Sequence, residues 1–122
     1  MAPILQFGSR MFRTRSLSRD SATDMKRLAS VRAAVLEAIE GARKERDGLQ
    51  QRIETYQMQA ASLLDNTEYG QRTASEESAI SAAEQQVVAG FARVKQITSH
   101  IADLGELLVL IEGRQIEDRQ SA

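Results

Sequence analysis

Along the second half of the chain, apolar residues recur at alternating spacings of three and four. One row is Ile80, Val87, Val94, Ile101 and Leu108, and the other is Ala83, Gly90, Ile97, Leu104 and Ile111. On a helix these positions share one stripe, and a period of 3.5 held over this length marks a helix packed along another helix. The upstream sequence carries the same repeat. Leu28, Val35, Ala42, Leu49, Tyr56 and Leu63 form one row, and Arg32, Ile39, Arg46, Ile53 and Ala60 follow four residues after the members of the first.

The repeat stops near Leu64. Asp65-Asn66-Thr67-Glu68-Tyr69-Gly70-Gln71-Arg72 is the best turn in the chain, because Asn and Gly are poor helix formers and accept the backbone angles a turn requires. Thr73-Ala74-Ser75-Glu76 then offers a capping box, in which the Thr hydroxyl accepts from the backbone N–H three residues on and the Glu side chain reaches back. Upstream, Ser21, Thr23 and Asp24 are the candidate caps for the first helix.

The pattern therefore predicts an all-α chain: an antiparallel two-helix coiled-coil hairpin, completed to a bundle by self-association or by a partner helix. Helix one is expected over about 21–64, the turn over 65–72 and helix two over about 73–118, with 119–122 as a tail. Each helix of about 44 residues would be ~65 Å long. A turn centred near Glu68 and Tyr69 pairs residues whose numbers sum to about 137, which sets Ile53, Tyr56 and Ala60 against Ile80, Ala83 and Val87. In that register Arg46 lies opposite the neighbourhood of Gly90, which would make room for its stem. Gly41 and Gly48 weaken the same zone.

The far end differs from the rest of the hairpin. Leu28, Val31, Val35 and Leu36 on the first helix and Leu104, Leu107, Leu108 and Ile111 on the second make an apolar surface broader than a two-stranded seam covers. Val31, Leu36 and Leu107 occupy flanking positions where a simple coiled coil places charges. These eight residues are the expected partner interface.

Residues 1–20 are expected to form a flexible basic arm. They hold the only proline, Pro3, and Arg10, Arg13, Arg15 and Arg19 against Asp20 alone, a local charge of +3 within a chain whose formal charge is −1. Phe and Leu interleaved with Arg suit phosphate or anionic lipid, and the Ser-rich, acid-poor composition also suits a targeting or export signal. The expected location is cytoplasmic, with mitochondrial or exported as the alternative. No apolar run approaches the ~20 residues that span a bilayer, so a transmembrane chain is not expected. With no Cys, a disulfide framework and a thiolate metal site are excluded.

Catalytic chemistry finds little to stand on. Asp65, Gly70 and Glu76 match the first, sixth and twelfth places of a calcium-binding loop, but Thr67 and Tyr69 replace the oxygen donors of the third and fifth. A plain turn is the better reading. His100 is the only histidine, with neither a nucleophile nor a second ligand at useful spacing, and reads as a flanking surface residue one turn from Asp103. Glu76 and Glu77 favour the positive end of helix two, and Glu84 reads as solvated. No catalytic, cofactor or metal residues are assigned, and no enzyme is expected.

In plan, a helical hairpin of about 100 residues with a mobile N-terminus is similar to the small export chaperones and to the rod or needle components of flagellar and type III secretion systems. That likeness is one of architecture. It implies an assembly or chaperone role for the apolar end. The small secreted hairpins that carry a Trp-x-Gly turn are excluded by the absence of Trp. The expected function is thus a non-enzymatic interaction protein (structural, adaptor or assembly factor) that binds a protein partner or its own copy. The alternatives are a secretion chaperone or rod component and an organelle-targeted subunit. No specific nucleic-acid partner is expected.

Overall fold

A computed structural model describes the backbone of residues 2–66 and 72–121, and the side chains of residues 17–65 and 72–120. Two helices make up the fold: α1, Ala2–Asn66, and α2, Ala74–Ser121. They run antiparallel, since Glu45 meets Arg93 while Ile53, further along α1, meets the earlier Gly90 of α2. The chain is an all-α helical hairpin. Its residues divide into two compact units. A central unit comprises Ile39–Asp103, and a terminal unit combines the chain up to Ala38 with the chain from Leu104 onward.

The start of α2 follows from its capping residue. Thr73 Oγ1 accepts the backbone N–H of Glu76 at 3.1 Å, and Thr73 O accepts that of Glu77 at 3.1 Å, the first bond of the helical ladder. Arg72 bridges to Glu77 at 3.2 Å. The returning half of the capping box is not made through Glu76 Oε2, which is buried without a hydrogen-bond partner among the described residues. Of the turn, residues 67–71 lie outside the described residues. α1 ends at Asn66, two residues beyond the predicted limit.

The beginning of α1 departs from the expectation of a helix starting near residue 21. The backbone is helical from Ala2. Pro3 falls in the first turn, where its missing N–H has no intrahelical acceptor in any case, and the Arg, Leu, Gln and Met that follow are good helix formers. Composition that suggested an arm is thus compatible with a continued helix.

All of the buried apolar residues belong to the central unit. They are Ile39, Ile53, Ile80, Ala83 and Ile97, and every one of them stands on a predicted heptad row. Ile97 is the most enclosed, at 1 % exposure. No polar side chain is buried among the described residues. Arg46, although on an apolar row, is half-buried and lies 3.6 Å from Asp47, so its charged head reaches the surface.

The pairing register corrects one expectation. Gly90 makes room for Ile53 and not for Arg46: a Cβ at Gly90 would stand 2.7 Å from Ile53 Cγ1 and 3.0 Å from Cδ1. Facing numbers here sum to 143, several residues from 137, because α1 ends at Asn66 and α2 begins at Ala74, which moves the turn centre to about residue 70. In the terminal unit Arg32 meets Glu112 at 3.8 Å in nearly the same register. By that count Ser121 comes level with about residue 23, and α1 upstream of that point has no α2 alongside it. Leu17, lying in that stretch, is exposed.

Candidate interaction surface in the terminal unit

The eight residues expected to form the partner interface all fall in the terminal unit. None is buried. Leu28, Val35, Leu104, Leu108 and Ile111 are half-buried along the seam, whereas Val31, Leu36 and Leu107 are exposed at 49 %, 38 % and 49 %. This division follows from helix geometry. The first five stand on the heptad rows that face the other helix, and the last three stand beside them.

Three more exposed apolar residues join this surface: Val109 at 70 %, Leu110 and Ile116. Leu110 and Ile116 stood outside the sequence reading because they belong to no seam row. Their signal was the unbroken apolar run Leu107-Leu108-Val109-Leu110-Ile111, which covers every side of a helix turn and so cannot all be buried by one neighbour.

At 100° per residue, Ala29 and Leu36 lie on one flank of α1, and Val109 and Ile116 on one flank of α2. Ala29 and Ile116 line the same open cleft of about 450 Å³, with Arg32, Glu112, Gln115 and Arg119, which places those two flanks on one side of the unit. Val31 and Leu107 lie on the opposite flanks of their helices. Apolar surface therefore borders the seam on both sides.

Charges in this unit are largely satisfied within it. Arg32 pairs with Glu112 at 3.8 Å, Arg27 with Asp24 at 3.2 Å and Arg114 with Glu117 at 3.2 Å. Every one of these pairs is partly or well exposed, so each contributes little to stability. Their arrangement leaves the apolar flanks to be covered by something itself apolar.

Of the basic arm, Arg19 is exposed, and its carbonyl accepts from Thr23 Oγ1 at 3.0 Å. The side chains of Arg10, Arg13 and Arg15 lie outside the described residues. His100 and Asp103 are both exposed. Among the described residues no three His, Cys, Asp or Glu side chains converge on a possible metal position. Nor is any helix among them long and apolar enough to cross a membrane. No protein-family model matches the chain, and no curated protein or solved structure matches it either.

Proposed function

We propose that the chain is a non-enzymatic helical interaction protein, an adaptor or assembly factor, that holds an apolar helix against its terminal unit. The observation that supports this reading is the contrast between the two units. The central unit buries five apolar side chains, while the terminal unit, with the denser apolar sequence, buries none among the described residues. A further helix laid beside the seam would cover Leu36, Val109 and Ile116 on one side or Val31 and Leu107 on the other. Each large side chain taken from half-exposed to buried contributes roughly 1 kcal/mol, about half the value for full burial. Four or five such residues suffice for micromolar association once the cost of ordering the partners is met.

Purification of the tagged chain from its own cells, beside a Val31→Asp/Leu107→Asp variant, tests the reading. A charge at each position opposes burial without touching the seam rows. The parent is expected to carry a defined stoichiometric protein or further copies of itself, and the variant to lose them at unchanged helicity. Equal recovery of companions by both chains would refute the assignment for that flank, and repeating the comparison with Leu36→Asp/Ile116→Asp decides the other.

A further inference from the structure

A second unpartnered surface lies in the central unit, on the outer side of α2. Val88 is 69 % exposed and Phe91 is 54 % exposed, although both stand in the middle of a long helix. They belong to two heptad rows displaced to one side of the seam rows: Ser81, Val88 and Lys95 in one, Glu84, Phe91 and Thr98 in the other. The spacing of three and four is that of a packing seam, and α1 does not cover it.

The only charges on these rows are Glu84 and Lys95. They stand symmetrically, Glu84 four residues before Val88 and Lys95 four after Phe91, and neither forms an ion pair among the described residues. We propose that a second copy of this chain packs on this face with its α2 antiparallel, about a two-fold axis passing between Val88 and Phe91. That operation sets Val88 against the other copy's Phe91, Glu84 against its Lys95 and Ser81 against its Thr98, each contact occurring twice. A parallel copy would set Glu84 on Glu84 and Lys95 on Lys95. The charge order selects the antiparallel arrangement.

Space for the aromatic ring is present. On the same flank a cleft of about 480 Å³ opens between α1 and α2, walled chiefly by Ala60, Ala61, Leu64, Val87 and Val88. Phe91 stands on the row nearer α1, so in the antiparallel pair it projects toward the partner's cleft at the level of Val88. A large aromatic in a shallow apolar recess, flanked by two reciprocal charge pairs, is the usual make-up of an energetic centre in an interface. This surface is separate from that of the terminal unit, and neither assignment depends on the other.

Sedimentation equilibrium of the full chain gives the test. The parent is expected to dimerise, and Glu84→Lys or Lys95→Glu alone to raise the dimer dissociation constant about tenfold or more, since each turns two attractive contacts into repulsive ones. An equimolar mixture of the two variants restores both attractions, and so does the double variant Glu84→Lys/Lys95→Glu, so each should associate like the parent. Phe91→Ala should weaken the dimer while the helicity of the chain is unchanged. A parent that stays monomeric to about 500 µM, charge reversals without effect, or a mixture that fails to recover would each overturn the proposal. Dimerisation abolished by Val31→Asp/Leu107→Asp and untouched by the charge reversals would do so as well, because association would then lie in the terminal unit.

Discussion

Replacing Gly90 by Ala should destabilise the hairpin even though Ala is the better helix former. In an exposed helix interior the exchange stabilises by about 1 kcal/mol, and Gly41, whose new methyl would meet nothing within 4 Å, should show that gain. At Gly90 the methyl would lie 2.7 Å from Ile53 Cγ1, whereas carbon atoms pack at about 3.5–4.0 Å. Roughly 1 Å must therefore be opened. Ile53 cannot yield cheaply, because Cγ1 is set by the χ1 torsion, which a β-branched side chain in a helix holds in one rotamer. Forcing the torsion or parting the helices costs about 1–3 kcal/mol, so Gly90→Ala should be neutral to ~2 kcal/mol destabilising, and should lie ~1–3 kcal/mol below Gly41→Ala. Urea unfolding followed by circular dichroism measures both. A double-mutant cycle makes the test sharper. In an Ile53→Ala background the obstacle is gone, and Gly90→Ala should change sign and stabilise by about 1 kcal/mol. If Gly90→Ala stabilises the parent as much as Gly41→Ala does, the close packing of Ile53 on Gly90 is refuted, and the register with it.

Three other outcomes are expected. Thr73→Ala removes the acceptor for the Glu76 N–H and should cost about 1 kcal/mol in thermal or urea unfolding, with Thr73→Ser restoring most of it. The Arg93–Glu45 pair, bonded at 3.0 Å and 3.3 Å yet about half-exposed, should yield a coupling energy below about 1 kcal/mol in a double-mutant cycle, diminished in 0.5 M salt. Deleting residues 1–20 should leave the melting temperature nearly unchanged, because α2 ends before it could lie alongside them; a large loss would show that this stretch packs on the rest of the chain.

Much of the fold is readable from heptad spacing because burial in a hairpin is one-dimensional. Ile39, Ile53, Ile80, Ala83 and Ile97 had no alternative face, and all of them are enclosed. Thr73 was readable for a local reason, since a cap needs only its own hydroxyl and the N–H three residues on. Register was not, because it depends on where the turn is centred, and a shift of three residues in that centre moves Gly90 from the side of Arg46 to that of Ile53. Nor was the beginning of α1: the Arg- and Ser-rich composition of residues 1–20 suits both a solvated coil and a solvated helix, and no packing pattern decides between them. The Val88 and Phe91 rows escaped notice for a different reason. A search for one stripe per helix assigns every residue beside that stripe to solvent, and a helix with two neighbours carries two stripes.

The claim at the centre of this account is that the apolar flanks of the terminal unit are open in the isolated chain and covered in its working state. The chain contains no cysteine, so single-cysteine variants report one position each. Leu107→Cys and Ile116→Cys sample the two flanks, and Met58→Cys, at a strongly exposed position of the central unit, serves as the reference. Maleimide labelling rates would be compared for each variant in purified, dilute form and in intact cells. The account predicts that all three label rapidly when isolated and that Leu107→Cys or Ile116→Cys is protected about tenfold or more in cells relative to Met58→Cys. Equal labelling of all three positions in both states would contradict it.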